Sequence, residues 1–394
     1  MSWRRLPPVH SPLSAAAIGA GFGAALIPAR ARLARAEVEE WLGATYAPVA
    51  WRWTDSGTSA LALALRLASE DGRRAVALPA YGCYDLATAC DAAGVRVFLY
   101  DVDPATLGPE WASLEQALDA GAGVVVAVHL YGVPVDLDRL GARAARHGAV
   151  VVEDAAQGIG GSWRGRPLGA HGALSVLSFG RGKGNTSGGG GALLVHDGRY
   201  VGQLPELPPG GAGVVAVVKT GVQYLLARPG LYAIPASLPF LGLGETVYHP
   251  PHPPTGMSSG GFGVLSRSVL EVDDDAAIRR RNANRLTELI GRPVRPAGPG
   301  DGAVHGHLRL PVVVDPDHRS TVLEAGRRLG LQPGYPTALA ALGAPFVSHA
   351  TAQGPLPGAT LLARSLVTAP VHAFMLEVEL ALLAKILRQA LPRN

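Results

Sequence analysis

The sequence predicts an α/β protein with a doubly wound, mostly parallel sheet in a large domain and a smaller C-terminal α/β domain. Strand-like and helix-like segments alternate through the first two-thirds of the 394 residues, as they do when helices cover a parallel sheet. Several strand-like segments are continuously apolar, which is typical of strands buried on both faces. A Pro/Gly-rich stretch at 250–263 predicts the boundary between a large domain, 1–250, and a small one, 251–394.

The predicted elements of the large domain follow one another in strict alternation. Helices are predicted over 59–68, 84–93, 111–120 and 137–147, and strands over 75–79, 96–101, 123–130 and 149–154. Gly94 ends the second of these helices, as glycine commonly does. Ligands of doubly wound sheets bind at the carboxyl ends of the strands, so we expect His129, Asp154 and the turn at Gly57 at one edge of the sheet.

The small domain is predicted to combine helices with a strand. We expect helices over 273–290, 318–329 and 374–391, and a strand over 308–314. The first of these helices carries three consecutive arginines, 279–281, which we expect on a solvated face because charged residues rarely pack unpaired inside a domain.

The N-terminal apolar run, 13–27, has two interpretations. With Arg4 and Arg5 before it and Ala-Arg-Ala at 29–31 after it, the run matches a secretory signal. Three glycines interrupt the run, and the amphipathic segment 34–42 follows it directly. We therefore favour a glycine-interrupted helix that packs on the domain.

Composition limits the class of protein. Hydrophobic residues make up 48% of the chain and charged residues 17%, which indicates a globular protein with a large core. The net charge is only +4 and the arginines are scattered, so we expect no nucleic-acid partner. Cys83 and Cys90 give neither a disulfide framework nor metal-ligand spacing, which indicates a reducing, cytoplasmic location and no metal.

No segment of the chain has the about 18 uninterrupted apolar residues of a membrane span. The segment 212–247 comes closest, but Lys219, Gln223, Arg228 and four glycine or proline breakers interrupt it. We favour a buried inter-domain or dimer surface for this segment over a shallow membrane contact.

One lysine occupies the glycine-rich segment 178–191. The chain has 35 basic residues, of which only Lys183, Lys219 and Lys385 are lysines. Unlike arginine, a lysine amine can lose its proton when desolvated and form an imine with an aldehyde. The segment does not match a nucleotide-binding P-loop, because Gly184 stands where Ser or Thr is required. Lys183 is therefore a candidate for the lysine that holds pyridoxal phosphate (PLP).

A second segment offers an anion site for the cofactor phosphate. Gly57, Thr58 and Ser59 form a small-residue turn that opens a predicted helix, where backbone N–H groups and hydroxyls bind anions. Ser178 is a candidate for a further phosphate contact. Taken alone, such a turn is also common as a simple helix cap.

Two more segments supply groups for the cofactor ring. Asp154, at a strand end, can pair with a protonated pyridine nitrogen and keep the ring an electron sink, while Gln157 can hydrogen-bond the ring hydroxyl. An aromatic side chain in the segment 79–84, for which Tyr84 is the candidate, can stack on the ring. An isolated Asp is more often a turn cap, and the tyrosines of this segment can equally be ordinary packed residues.

Taken together and in this order, these segments resemble the DegT/DnrJ/EryC1/StrS family of PLP-dependent sugar aminotransferases. The resemblance is carried by Asp-Ala-Ala-Gln at 154–157 and by Ser-Phe-Gly-Arg-Gly-Lys at 178–183, and it extends to segments at 127–138, 161–169 and 356–372. It implies the PLP-dependent transferase fold type I and a homodimer with its sites at the interface.

The resemblance also implies an activity and a role for individual residues. The implied reaction moves an amino group from an amino acid, glutamate in the family, to a keto acceptor such as a nucleotide-linked keto-sugar. Lys183 is implied to hold PLP as an internal aldimine and to shuttle the proton. The residues implied to contact the cofactor are Thr58, Ser59, Asp154, Gln157, Ser178 and Lys183.

Three departures from the family pattern bear on the substrate. Cys83 stands where the family has a stacking Phe or Trp, Gly189 replaces a Glu, and Pro-Thr-Gly-Met-Ser at 254–258 replaces an Asn-Tyr-Arg-Met segment. These changes keep open a PLP enzyme of other chemistry, namely decarboxylation, dehydration or condensation in natural-product biosynthesis. A non-catalytic regulatory protein on the same scaffold is the alternative outside enzymes, and the presence of both Lys183 and Asp154 argues against it.

Overall fold

The computed structural model describes residues 4–70, 74–237, 246–291 and 302–392. Its helices are α1 (Ala15–Leu26), α2 (Pro28–Tyr46), α3 (Gly57–Ala68), α4 (Asp85–Ala93), α5 (Trp111–Asp119), α6 (Leu137–Arg146), α7 (Val214–Leu226), α8 (Ala233–Ala236), α9 (Ser259–Ser268), α10 (Val272–Ile290), α11 (Arg319–Gly326), α12 (Pro357–Ser365) and α13 (Glu377–Arg388). Its strands are β1 (Ala50–Thr54), β2 (Ala75–Pro79), β3 (Val97–Tyr100), β4 (Ala122–Val128), β5 (Val150–Asp154), β6 (Ser162–Trp163), β7 (Arg166–Pro167), β8 (Leu174–Ser178), β9 (Gly191–Val195), β10 (Ala303–Val304), β11 (Leu310–Val313), β12 (Gln332–Pro333), β13 (Ala350–Ala352) and β14 (Leu366–Ala369).

The main sheet has, within the described residues, eight strands in the order β1-β9-β8-β5-β4-β2-β3-β13. The strands from β8 to β13 run parallel to one another, whereas β9 is antiparallel to both β8 and β1. The prediction of a mostly parallel sheet is therefore confirmed. The antiparallel strand β9 lies next to one edge of that sheet.

Both faces of this sheet are covered, because alternate side chains of each strand enter different cores. Val76 and Leu78 of β2 pack into the core that includes α3 and α4. Their neighbours Ala75 and Ala77 pack into a second core, which includes α2, α5 and α6. This two-sided cover explains why β2 and β4 are apolar without alternation.

The elements predicted over residues 59–154 are confirmed, with ends that differ by at most two residues. Gly94 ends α4 in the left-handed conformation, at φ 67°, as expected for a glycine in this position. The strands β1, β8 and β9 were not predicted. They are five residues each, and two of them adjoin the glycine-rich segment, where sequence patterns favour a loop.

A third core, separate from the two that cover the main sheet, lies towards the C-terminus. The antiparallel sheet β11-β14-β12 packs with α10 and α13 around residues such as Leu310, Val367 and Leu383. This core begins inside α10, whereas α9 packs with α2 in the large-domain core. Strand β13, from the C-terminal part of the chain, pairs with β3 at the edge of the main sheet.

The expectation of three solvated arginines on α10 is wrong for the first of them. Arg279 is only 1% exposed, and its Nε lies 2.8 Å from Asp275 Oδ2. Its Nη1 also donates to the Gly306 carbonyl at 2.6 Å. The ion pair one turn apart on α10 makes the burial of this charge tolerable, and the sequence pattern did not reveal it.

The apolar N-terminal run forms α1, in agreement with the interpretation as a packed helix. Ala17, Gly21 and Ala24 are buried, and a Cβ at Gly21 would come within 2.6 Å of Val264 in α9, so the glycine permits close helix packing. In the part of the chain that the structure describes, none of the helices has the length and apolarity needed to cross a bilayer. Residues 238–245 of the 212–247 segment lie outside the described residues.

Candidate active site

A cavity opens at the carboxyl ends of the parallel strands. This is the edge at which the sequence placed the ligand. The cavity brings together six of the eight residues predicted for the site, which come from three separate segments. These six are Gly57, Thr58, Asp154, Gln157, Ser178 and Lys183.

The phosphate-side wall of the cavity is formed where α3 begins beside the end of β8. Ser56 caps α3 by accepting a hydrogen bond from the Ser59 N–H at 3.1 Å. A Cβ at Gly57 would lie 2.6 Å from the Ser178 Cβ, so only glycine allows the helix N-terminus to approach Ser178 this closely. Ser59 does not line the cavity, because its hydroxyl is paired with the Ser56 hydroxyl at 3.0 Å.

Asp154 ends β5 and places a buried carboxylate on the cavity wall. Its Oδ1 accepts a hydrogen bond from the Ala156 N–H at 2.9 Å. Burial raises the pKa of Asp154, and the Ala156 N–H and the Lys183 ammonium oppose that rise. The carboxylate and the amine therefore act on each other across the cavity.

Lys183 lies on the loop between β8 and β9, which is held at several points. The Ser11 hydroxyl donates to the Lys183 carbonyl at 2.9 Å, and the Ser187 N–H donates to the Phe179 carbonyl at 2.9 Å. Gly182 has a φ of 77°, a conformation that glycine adopts without strain. These contacts fix the backbone that presents the Lys183 side chain to the cavity.

His129 also lines the cavity, although its place at a strand end was the one sequence feature that pointed to it. Its Nδ1 accepts a hydrogen bond from the Val135 N–H at 3.1 Å, so its Nε2 carries the proton and donates to Glu153 at 3.0 Å. Two fixed hydrogen bonds hold the imidazole as a single neutral tautomer.

Glu153 supports this edge of the sheet from within the core. The carboxylate is fully buried and accepts hydrogen bonds from the backbone N–H groups of Gly169, His171 and Gly172. Burial alone would raise the pKa of Glu153, but these bonds and the one from His129 lower it to about 2. The hydrogen-bond donors around Glu153 therefore keep its buried carboxylate ionised.

Replacing Glu153 by glutamine is expected to lower the free energy of unfolding by about 3 kcal/mol. The amide N–H₂ of glutamine would face donors that need an acceptor. Because the folded-state pKa is depressed, the contribution of Glu153 is complete above pH 4.5 and is lost as the pH falls towards 2. Chemical denaturation at pH 7 and pH 3 measures both effects.

The control for this variant is Glu37→Gln, which removes an exposed ion pair with Arg267 and is expected to change stability by about 1 kcal/mol or less. Equal stability of the Glu153→Gln protein and the wild type at pH 7 would contradict the account.

Gln157 is held in place by two hydrogen bonds. Its Oε1 accepts from the Tyr131 N–H at 2.8 Å, and its Nε2 donates to the Tyr335 hydroxyl at 2.7 Å. One N–H of the amide is left for a ligand. Tyr131 and Tyr335 stack with their ring centroids 5.6 Å apart, so the amide rests against an aromatic pair.

Tyr84, the predicted stacking residue, is not among the residues that line the cavity. It is buried, and its hydroxyl lies 2.6 Å from the Thr337 hydroxyl. Cys83 and Asp85 line the cavity on either side of it. Burial, reinforced by Asp85, raises the pKa of the Cys83 thiol to about 12, so the thiol stays protonated at neutral pH.

Comparison with known proteins agrees with this arrangement. The model of the DegT/DnrJ/EryC1/StrS aminotransferase family matches residues 34–216. The chain is similar to an L-glutamine:2-deoxy-scyllo-inosose aminotransferase from Streptoalloteichus tenebrarius, with 31% identity over 63% of this chain and 54% of that protein. The chain thus spans about half the length of the curated relatives it matches.

Solved structures establish the fold along the whole chain. A sugar aminotransferase from Micromonospora echinospora is similar with a TM-score of 0.74 and 23% identity, over 98% of this chain and 99% of that one. The GDP-4-keto-6-deoxy-D-mannose-3-dehydratase of E coli, with bound hydrated PLP, is similar with a TM-score of 0.75 and 14% identity, over 98% of this chain and 99% of that one. The predicted fold type I is confirmed. The resemblance to the DegT/DnrJ/EryC1/StrS aminotransferase family is confirmed over residues 34–216, which hold every residue predicted for the site.

Proposed function

We propose that this protein is a PLP-dependent aminotransferase that transfers an amino group from an amino acid to a ketone of a sugar or an inosose. The observation that carries the proposal is the convergence of Lys183, Asp154, Ser178 and the Gly57 turn on one cavity. These groups come from distant parts of the sequence, and no simple packing role requires an amine and a buried carboxylate to share that space.

The residues present fit the cofactor. The cradle between Gly57 and Ser178 leaves no room for a side chain and exposes the N-terminus of α3, which favours a phosphate. Asp154 is a buried carboxylate with one backbone donor described on Oδ1, which suits a cationic ring nitrogen. Lys183 supplies an amine for an aldehyde.

Each residue is assigned a task that follows from its chemistry. PLP, when bound, supplies an aldehyde and an electron-withdrawing ring. Asp154 would keep a proton on the ring nitrogen, and Ser178 with the start of α3 would hold the phosphate. The Lys183 amine would bind the aldehyde and, once displaced by the donor, would move the proton as general base and then general acid. His129 would present its fixed, neutral imidazole to the ring.

We propose L-glutamine as the amino donor and a carbohydrate-like ketone as the acceptor. The name of the relative from Streptoalloteichus tenebrarius specifies glutamine and an inosose, whereas the sequence expectation was glutamate and a nucleotide-linked keto-sugar. Both donors and both acceptor classes therefore belong in the test.

We also propose that the active protein is a homodimer. Helix α7 buries only Val217 and Thr220 against its neighbours, while Val215 is 67% exposed and Val222 and Leu225 are about half exposed. An apolar face of this kind supports a contact with a second copy, in line with the dimer surface expected for this segment.

Dehydration is the second candidate activity, because the similar structure from E coli is named as a dehydratase with bound PLP. The two chemistries differ in whether the amino group of the donor ends on the cofactor.

The deciding experiment reconstitutes the purified protein with PLP and adds L-glutamine or L-glutamate without an acceptor. An aminotransferase is expected to lose the yellow aldehyde absorbance and release one keto acid per site. Subsequent addition of scyllo-inosose or of a nucleotide-linked 4-keto-sugar should restore the absorbance. A yellow colour that persists with both donors contradicts aminotransfer.

A further inference from the structure

A cationic side chain without a counter-ion lies beside the candidate active site. Arg309 directly precedes β11, and its Nε and Nη2 are buried with no hydrogen-bond partner. Among the described residues, no carboxylate reaches its guanidinium. The buried Arg279, in contrast, has a counter-ion, because its Nε lies 2.8 Å from Asp275 Oδ2.

The surroundings of Arg309 do not compensate its charge. The ionisable groups that act on it are the hydroxyls of Tyr131, Tyr335 and Tyr232. Burial raises the pKa of each of these tyrosines, so the hydroxyls stay neutral. Burial lowers the pKa of Arg309 only to about 10, which leaves it charged at neutral pH. Arg309 as a whole is half-buried, but its Nε and Nη2 are buried without a partner among the described residues. An anion from outside the chain would therefore stabilise this charge.

The position of Arg309 connects it with the cavity. The Leu308 N–H donates to the Tyr131 carbonyl at 3.0 Å, which joins this strand to the turn after β4. Tyr131 stacks on Tyr335, whose hydroxyl accepts from Gln157 on the cavity wall. Arg309 therefore directly follows a backbone contact with Tyr131, one of the two rings in the aromatic pair that supports Gln157.

A second basic residue extends this charge towards Lys183. The charges of Arg309 and Arg181 both oppose the rise that burial causes in the pKa of Tyr232. Arg181 is two residues from Lys183 on the same loop. Positive charge thus extends from Arg309, just before β11, to the loop that carries the Lys183 amine. Arg319 also interacts with Tyr131. Its Nε donates to the Leu366 carbonyl at 3.2 Å, and its Nη2 is a buried nitrogen without a partner among the described residues.

We propose that Arg309 anchors an oxyanion subsite that binds the small-molecule substrate next to the candidate active site. The guanidinium fork matches an anion with two acceptor oxygens. Such an anion is either the carboxylate of the amino-acid donor or a phosphate of a nucleotide-linked acceptor. This assignment rests on the proposed function for its substrates, and it makes Arg309 a specificity-determining residue.

The test measures binding by calorimetry, with glutarate and uridine 5′-diphosphate as separate probes on the PLP-loaded protein. Glutarate has no amine, so it cannot react. The wild type is expected to bind at least one probe, and Arg309→Met to weaken that binding about 10- to 100-fold. The probe that is affected identifies the source of the oxyanion. The control Arg280→Met removes a half-buried arginine that donates to Gly160, and it should leave both affinities unchanged.

A thermal melt of the same proteins separates a ligand-binding role from a structural one. Because Nε and Nη2 of Arg309 have no hydrogen-bond partner among the described residues, Arg309→Met is expected to melt at the wild-type temperature or above it. Arg309→Lys keeps the charge without the fork, and it should bind the probe about 10-fold more weakly at an unchanged melting temperature.

Two results would overturn the subsite: a wild type that binds neither probe, or an Arg309→Met protein that binds both as tightly as the wild type. The PLP absorbance, recorded on the same samples, reports independently on the proposed function. If the wild type takes up no PLP, the titrations are run on the PLP-free protein, and binding of a probe through Arg309 would then refute the enzyme assignment and leave the subsite standing.

Discussion

Replacing Lys183 by arginine is expected to lower kcat by about 10⁴-fold. Arginine keeps the positive charge near Asp154 but stays protonated, so it can neither bind an aldehyde nor accept the proton that the reaction requires. Lys183 lies on a loop held by Ser11 and by the pairing of Phe179 with Ser187, so the variant should fold normally. Steady-state kinetics, with circular dichroism to verify the fold, measures the effect.

The chain offers matched controls, because only two other lysines are present. Lys219→Arg and Lys385→Arg are conservative changes on α7 and α13, and neither should change kcat. Wild-type turnover in the Lys183→Arg protein would refute the role assigned to this amine.

Asparagine in place of Asp154 is expected to lower kcat by about 10²- to 10³-fold, as the loss of a buried electrostatic partner commonly does. The amide preserves the shape of the side chain and can still accept from Ala156, but it carries no charge to hold a proton on a ring nitrogen. The same change should not destabilise the fold. Burial raises the pKa of Asp154, so its ionised form is unfavourable at neutral pH and its removal costs no stability.

The pH dependence gives a second reading of this variant. Activity that needs the Asp154 carboxylate is complete above the pKa of this group in the PLP-loaded protein and falls as the pH drops through that pKa. Asp154→Asn should therefore remove this acid limb of the kcat/KM profile. Asp138→Asn, an exposed control paired with Arg164, should keep both the rate and the limb. An unchanged limb in Asp154→Asn would exclude this carboxylate as its origin.

Much of this site could be predicted because backbone position determines it. Asp154 directly ends the apolar strand β5, and Gly57 begins an apolar helix, so both must lie at the carboxyl edge of the sheet. Lys183 was recognisable because arginine supplies almost all other cations in the chain. Apolar runs specify such elements strongly, which is why β2 and β4 agree with their predictions.

The remaining features depend on contacts between residues that are distant in sequence. Arg279 is buried because Asp275 and the Gly306 carbonyl meet it, and the pattern of α10 alone favours exposure. Tyr84 pairs with Thr337, 253 positions away, which leaves Cys83 and Asp85 at the cavity. Similarly, no local motif marks Arg309, and only the lack of a partner for its Nε and Nη2 among the described residues draws attention to it.

The most direct test of the central claim is reduction of the PLP-loaded protein with sodium borohydride, followed by peptide mass spectrometry. Borohydride makes permanent the bond between PLP and the amine it has condensed with, so the cofactor mass marks that amine. The account predicts that the label lies on the peptide that contains Lys183, with the Lys219 and Lys385 peptides unmodified. Label on another peptide, or a protein that takes up no PLP, would contradict it.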